Sequence, residues 1–231
     1  MVSRVRLVAD PYPPYQYEEG GSVRGVDHDI ITEAFKVRGI RTETALYSWD
    51  GCIAQMEEEK ADGIFQITRT PQRVRRFIFS HQLRTAATLF FKKKGLCIAL
   101  DGPAEPVFFL QDHKIGVLSG YSYDPVIDDL SGEQKVEKQS SESLLYGLSA
   151  GEFDLALMDI GVAACLMRNL RIEGLDSVPG YEITRQLYVA FRKDLMELAV
   201  LFDSGLLEIK ENGVYDGIFR KYGLQYIPSV R

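Results

Sequence analysis

EEEKADGIFQIT (57–68) reads as the charged end of a helix, a short turn, an Asp, and an apolar strand. LSAGEFDLALMD (148–159) repeats that order. Two copies of one helix–turn–Asp–strand plan, about ninety residues apart, predict two α/β units in series.

Working outward, the first copy sits in a β-α-β-α-β run. RVRLVAD (4–10) alternates apolar and polar residues as a strand does, and DHDIITEAFKVRG (27–39) carries apolar residues at helical spacing, with Gly39 placed as its C-cap. RTETALYS (41–48) is a second strand. WDGCIAQMEEEKA (49–61) is a second helix capped by Asp50, and TPQRVRRF (70–77) is a short helix with Pro71 in its first turn. Between the first strand and first helix, PYPPYQYEEGGSVRG (11–25) is a loop with a small hairpin.

The second copy follows a long strand, ATLFFKKKG (87–95), and HKIGVLSG (113–120). KVEKQSS is a strand, SESLLYGLSAGE a helix, FDLALMD a strand and IGVAACLMRNL a helix. ITRQLYVAFRKD (183–194) is strand-like, and two helices end the chain. Each unit is therefore expected to be a mainly parallel sheet flanked by helices.

Composition narrows the function. The chain has 231 residues, net charge −6, 45% hydrophobic and 26% charged residues, which fits a globular protein and disfavours wholesale phosphate binding. No apolar run reaches the roughly 20 residues that span a bilayer. The chain opens on a strand with no signal peptide before it, as a cytosolic protein does, or an exported one without its leader. Cys52, Cys97 and Cys165 are scattered and read as small buried hydrophobes, with a Cys97–Cys165 bridge as the alternative. His28, His81 and His113 form no metal-ligand spacing, and no cofactor fingerprint is present.

Open α/β sheets bind ligands beyond the carboxyl ends of their strands. Four loops lie there. ADPYPPY holds Asp10, Tyr12 and Tyr15 among prolines, either as a hydrophobic plug or as an aromatic platform. QITRTPQR sets Thr68 before a helix start and Arg73 one turn inside it, a receptor for a carboxylate, whereas Arg75 and Arg76 read as solvated or paired. VLSGYSYDP supplies Ser119, Gly120, Tyr121 and Ser122 but lacks P-loop spacing. LALMDIGVAA ends a strand on Asp159, either a helix cap or a carboxylate that meets a cation. An Arg in one unit and an Asp in the other complement a zwitterion. No nucleophile triad or paired-carboxylate device accompanies them.

These stretches, together with GSVRGVDHDII (21–31), FSHQLRTAATLFFKKKG (79–95), LLYGLSAGEFDLALMDIGVAA (144–164) and ENGVYDGIFRKYG (211–223), resemble the periplasmic solute-binding proteins of ABC amino-acid importers, polar amino-acid branch. The resemblance covers nearly the whole chain. It implies a two-lobe periplasmic-binding-protein type II fold, α/β, with lobe 1 at residues 1–89 and 185–231, lobe 2 at 90–184, and two hinge strands. It implies a monomer that captures an amino acid, or a similar small carboxylate, and delivers it to a membrane permease from the periplasm, with no cofactor and no nucleic acid. It matches Arg73 to the carboxylate receptor, Thr68 to its partner hydroxyl, Tyr12 to an aromatic stacking position and Asp159 to the ammonium receptor. Tyr121 and Ser122 match a second-lobe hydroxyl loop, Asp10 an acidic side-chain reader, and Trp49 a place beside the pocket. The resemblance places Phe65 and Gln66 at the ligand, where the family often has small residues, and Tyr121 where it often has Thr or Ser, so their bulk reshapes the expected pocket; SHQLRT replaces its usual Ser-Asp-x-x-Tyr. Two other classes use the same fold: receptor sensor domains, told apart by a transmembrane helix beyond residue 231, and a dehydratase, for which only Asp10, Asp159 and His81 offer proton chemistry.

Overall fold

A computed structural model describes residues 2–96, 110, 112–119, 121, 123, 125–130 and 132–224. Its contacts divide the chain into two compact units, one formed by residues up to Thr85 and from Arg185 onward, the other by Ala86–Thr184.

The first unit opens with β1 (Arg4–Ala9), a hairpin of β2 (Tyr17–Glu19) and β3 (Ser22–Arg24), and helix α1 (Val26–Lys36). β4 (Arg41–Leu46), α2 (Trp49–Glu57), β5 (Gly63–Ile67), α3 (Pro71–Arg76) and β6 (Phe77–Phe79) follow. β7 (Arg84–Lys93) carries the chain into the second unit, which contains β8 (Ile115–Leu118), α4 (Pro125–Asp128), β9 (Lys135–Lys138), α5 (Ser141–Ala150), β10 (Leu155–Asp159) and α6 (Ile160–Leu170). β11 (Leu175–Arg192) returns to the first unit, where α7 (Met196–Glu211) and α8 (Val214–Lys221) pack.

In the first unit β4 and β5 lie parallel on either side of β1, and β11 runs antiparallel to both β5 and β6. In the second, β9, β8 and β10 are parallel and β7 is antiparallel to β10. β10 is buried at every position, as a parallel strand covered on both faces must be. Leu155 and Leu157 join Phe90, Ile115, Val117 and Val178 in the second core; Val8, Ile64, Ile67, Met56 and Phe77 form a cluster of the first.

The repeated Asp does the same work in both copies. Asp62 Oδ2 accepts from the Arg6 N–H at 2.8 Å, and the Asp62 N–H donates back to the Arg6 carbonyl at 2.8 Å. Asp154 Oδ2 accepts from the Lys114 N–H at 2.9 Å, and its own N–H donates to the Lys114 carbonyl at 2.9 Å. Each Asp thus ties the start of its strand to the parallel neighbour, at a place where an unpaired N–H would otherwise face the core edge.

Several boundaries differ from expectation. The N-cap of α2 is Ser48, whose Oγ accepts from Gly51 N–H, and Asp50 lies inside the helix. The C-cap of α1 is Val37; Gly39 follows in the left-handed region. β6 and α4 are short elements without a clear periodic signal, and β11 begins well before residue 183. Cys52 and Cys165 are free thiols, and Cys97 lies outside the described residues.

Candidate functional site

The turn after β5 builds the first half-site. Thr70 caps α3, its Oγ1 accepting from the Arg73 N–H at 3.3 Å, and Pro71 occupies the first helical position. The Arg73 side chain folds back over this turn. Its Nη1 donates to Thr68 Oγ1 at 2.6 Å and to the Thr68 carbonyl at 3.1 Å, and its guanidinium carbon stands 4.8 Å from the centroid of the Trp49 ring. The ring and the two oxygens fix the guanidinium plane.

No carboxylate neutralises Arg73 among the described residues. Burial alone acts on it, lowering its pKa, with no contribution from a nearby charge. Other arginines here are paired: Arg6 with Asp62, Arg76 with Glu57, Arg84 with Asp27 and Arg38 with Glu208. A partly desolvated cation held in place without its counter-ion is prepared for an anion. Arg75 lies exposed on α3.

Asp10 follows β1. Burial raises its carboxyl pKa, offset in part by its own backbone N–H. The same burial, with the Asp10 charge adding to it, pushes the Cys52 thiol up to about 11, so that thiol is no nucleophile at neutral pH. Tyr12 is fixed by backbone bonds to Gln16 and stacks on Tyr15 with centroids 5.8 Å apart.

Gln66 is the unusual residue of β5. Phe65 pairs with Val189 and Ile67 with Tyr188, so Gln66 is the extra residue of a β-bulge, and its φ is 58°. Left-handed backbone in a non-glycine strand residue is costly, and bulges of this kind re-aim a side chain. The Gln66 Oε1 accepts from Nε2 of Gln16, which has no exposed surface and also donates to the Asp10 carbonyl at 3.0 Å. Phe65, expected at the ligand, has no accessible surface at all and belongs to the packed interior, because the bulge separates its direction from that of Gln66.

In the second unit Asp159 ends β10 and caps α6. Its Oδ1 accepts from the N–H groups of Gly161 at 2.9 Å and Val162 at 3.0 Å, and the residue is 7% exposed. Ser119 follows β8 and its hydroxyl donates to Glu137 at 2.9 Å. Tyr121 is 48% exposed, its ring 6.3 Å from that of Tyr123. Ser122 and Gly120 lie outside the described residues.

Two supporting residues escaped the sequence reading. Thr70 carries a visible signal, a threonine immediately before a proline at a helix start. Gln16 carries none, since its partners lie on β5 and at the end of β1. Among the described residues no group of His, Cys, Asp and Glu is arranged to hold a metal, and no helix is long and apolar enough to cross a membrane.

A two-unit α/β fold with an arginine held at a strand end, without a carboxylate partner among the described residues, suits the class of small-solute binding proteins, which bind at such strand ends. Residues 5–225 match the bacterial extracellular solute-binding proteins, family 3, and the chain belongs to that family. It is 27% identical over 232 residues to the lysine/arginine/ornithine-binding periplasmic protein of Escherichia coli (strain K12), covering 94% of this chain and 86% of that one. Among solved structures it is similar to the second substrate binding domain of a putative amino acid ABC transporter from Streptococcus pneumoniae Canada MDR_19A, with a TM-score of 0.76, 22% identity, and 94% and 99% of the two chains covered. A histidine kinase sensor domain shares the fold with a TM-score of 0.73 at 20% identity, covering 98% of this chain and 99% of that one. The fold is that of the type II periplasmic binding proteins.

Proposed function

We propose that this solute-binding protein captures an α-amino acid outside the cytoplasm, in the periplasm, and as a monomer hands it to the permease of an ABC importer without catalysing a reaction. The two units are its lobes, and β7 and β11, which run from one unit into the other, are its hinge strands. The observation that carries the reading is Arg73: a guanidinium aimed by Thr68 and Trp49, with burial acting on it and, among the described residues, no carboxylate to neutralise it. It receives the ligand carboxylate. Tyr12 offers an apolar ring, Asp10 and Gln66 read the side chain, and Asp159 with Ser119, Tyr121 and Ser122 of the second unit serve the ammonium end. Names of relatives support an amino acid as the ligand: one is a probable histidine-binding protein of Neisseria gonorrhoeae, 24% identical over 226 residues.

Isothermal titration calorimetry with the common L-amino acids tests this. At least one should bind, and Arg73→Ala should weaken it by roughly 2–5 kcal/mol, the cost of stripping one partner from a desolvated charge pair. Trp49 is the single tryptophan in the chain and stacks on Arg73, so its fluorescence should report the same titration. Unchanged affinity in Arg73→Ala would remove the assignment.

A further inference from the structure

The amides of Gln16 and Gln66 cannot both be turned freely. The Asp10 carbonyl only accepts hydrogen bonds, so the Gln16 atom 3.0 Å from it is the nitrogen. The same nitrogen reaches Gln66, and its second hydrogen requires an acceptor there, which is Oε1 of Gln66. Gln16 has no exposed surface and its own Oε1 has no hydrogen-bond partner among the described residues, so the amide is committed to these two acceptors even at the expense of a buried oxygen. With its oxygen taken, the Gln66 amide presents Nε2, a donor with no protein partner among the described residues, from a partly exposed side chain on a strained bulge.

We propose that Gln16 is a positioning residue that locks Gln66 as a hydrogen-bond donor toward the ligand side chain, and that the pair selects a carboxamide-bearing amino acid over guanidinium and ammonium ones. The inference rests on the amino-acid reading above. Gln66 lies two positions before Thr68, which holds the carboxylate receptor, and β5 is the parallel neighbour of β1, which Asp10 follows. One end of the ligand side chain therefore meets a donor from Gln66 and an acceptor from Asp10. A carboxamide satisfies both with its carbonyl and its NH2. A guanidinium or an ammonium group pairs with Asp10 but carries donors only, and sets N–H against N–H at Gln66. A carboxylate satisfies Gln66 but brings like charge to Asp10. An aliphatic end leaves the Gln66 donor unpaired, which binding sites built on hydrogen bonds penalise heavily.

The test is calorimetry on the full chain with L-glutamine, L-methionine, L-arginine and L-histidine. Glutamine should bind at least about tenfold tighter than methionine, its near-isostere without a polar end, and tighter than arginine. Gln66→Leu should weaken glutamine by about tenfold or more while methionine holds. Gln66→Glu, which accepts where the native residue donates, should turn the preference toward arginine, a reversal that lost packing would not produce. Gln16→Met, with Gln66 intact, should lower the glutamine-to-methionine ratio in the same direction; should that buried variant fail to fold, the two Gln66 variants decide. Tight arginine or histidine binding by the native chain, abolished in Arg73→Ala and unmoved in ranking by Gln66→Glu, overturns the relay and leaves the amino-acid reading standing. Silence toward all four ligands while another common L-amino acid binds overturns the relay alone; silence toward every common L-amino acid overturns both.

Discussion

Arg84 and Asp27 are almost completely buried, their Nε and Oδ1 2.5 Å apart, with the guanidinium carbon 3.5 Å above the Tyr15 ring. Removing one member leaves the other charged in a dry interior, which typically costs about 3–5 kcal/mol. Asp27→Ala should show that loss in urea unfolding, while the apolar pair Asp27→Leu/Arg84→Met should recover most of it. Asp29 offers a pH test. Burial alone would raise its pKa; hydrogen bonds from His28, Lys221 and Tyr222 overcome that and bring it down to about 2. A depressed carboxyl stabilises the fold above its unfolded pKa and loses that contribution as pH falls toward the folded one. Between pH 4 and 2, roughly 2 kcal/mol of stability should disappear through this group. Asp29→Asn should flatten that stretch of a stability–pH curve.

Helix α7 packs on α1 through a glycine. A Cβ on Gly205 would stand 1.9 Å from the Ala34 carbonyl oxygen, so Gly205→Ala forces the helices apart. A loss of about 1–3 kcal/mol is expected, the usual cost of overpacking. Gly217 in α8 is the control, since a Cβ there meets nothing nearer than the end of the Arg220 side chain at 3.9 Å. Gly217→Ala should stabilise by about 0.5–1 kcal/mol through helix propensity. The same substitution thus takes opposite signs on adjacent helices, read out as denaturation midpoints.

Under the proposed function, Arg73 of the first unit and Asp159 of the second each answer one charge of the ligand. Asp159→Asn keeps an oxygen for the N–H groups of Gly161 and Val162, so α6 stays capped while the charge is lost. It should weaken the same amino acid that Arg73→Ala weakens, with less than additive loss in the double variant. A saturating ligand should raise the native melting temperature and fail to do so in either variant; at a hundredfold excess over Kd the expected stabilisation is about 2.7 kcal/mol.

Local pattern carried most of the architecture. Helical and strand periodicities located α1, α2, α5, α6, β1, β5 and β10, because each has one face or one whole strand to bury. The repeated Asp announced two units, and Arg73 stood out by its place one turn into a helix at a strand end. Spacing along the chain cannot reveal which arginine keeps a carboxylate and which lacks one; that depends on neighbours brought from β1, α1 and α2. Nor can it reveal that Gln66 is squeezed out of register into left-handed backbone, or that Gln16 sets the direction of its amide. Hydrogen-bond donors and counter-charges are shared across long sequence separations, so the chain alone singled out the arginine proposed to receive a ligand's anion, and only tertiary structure decided which groups stand beside it.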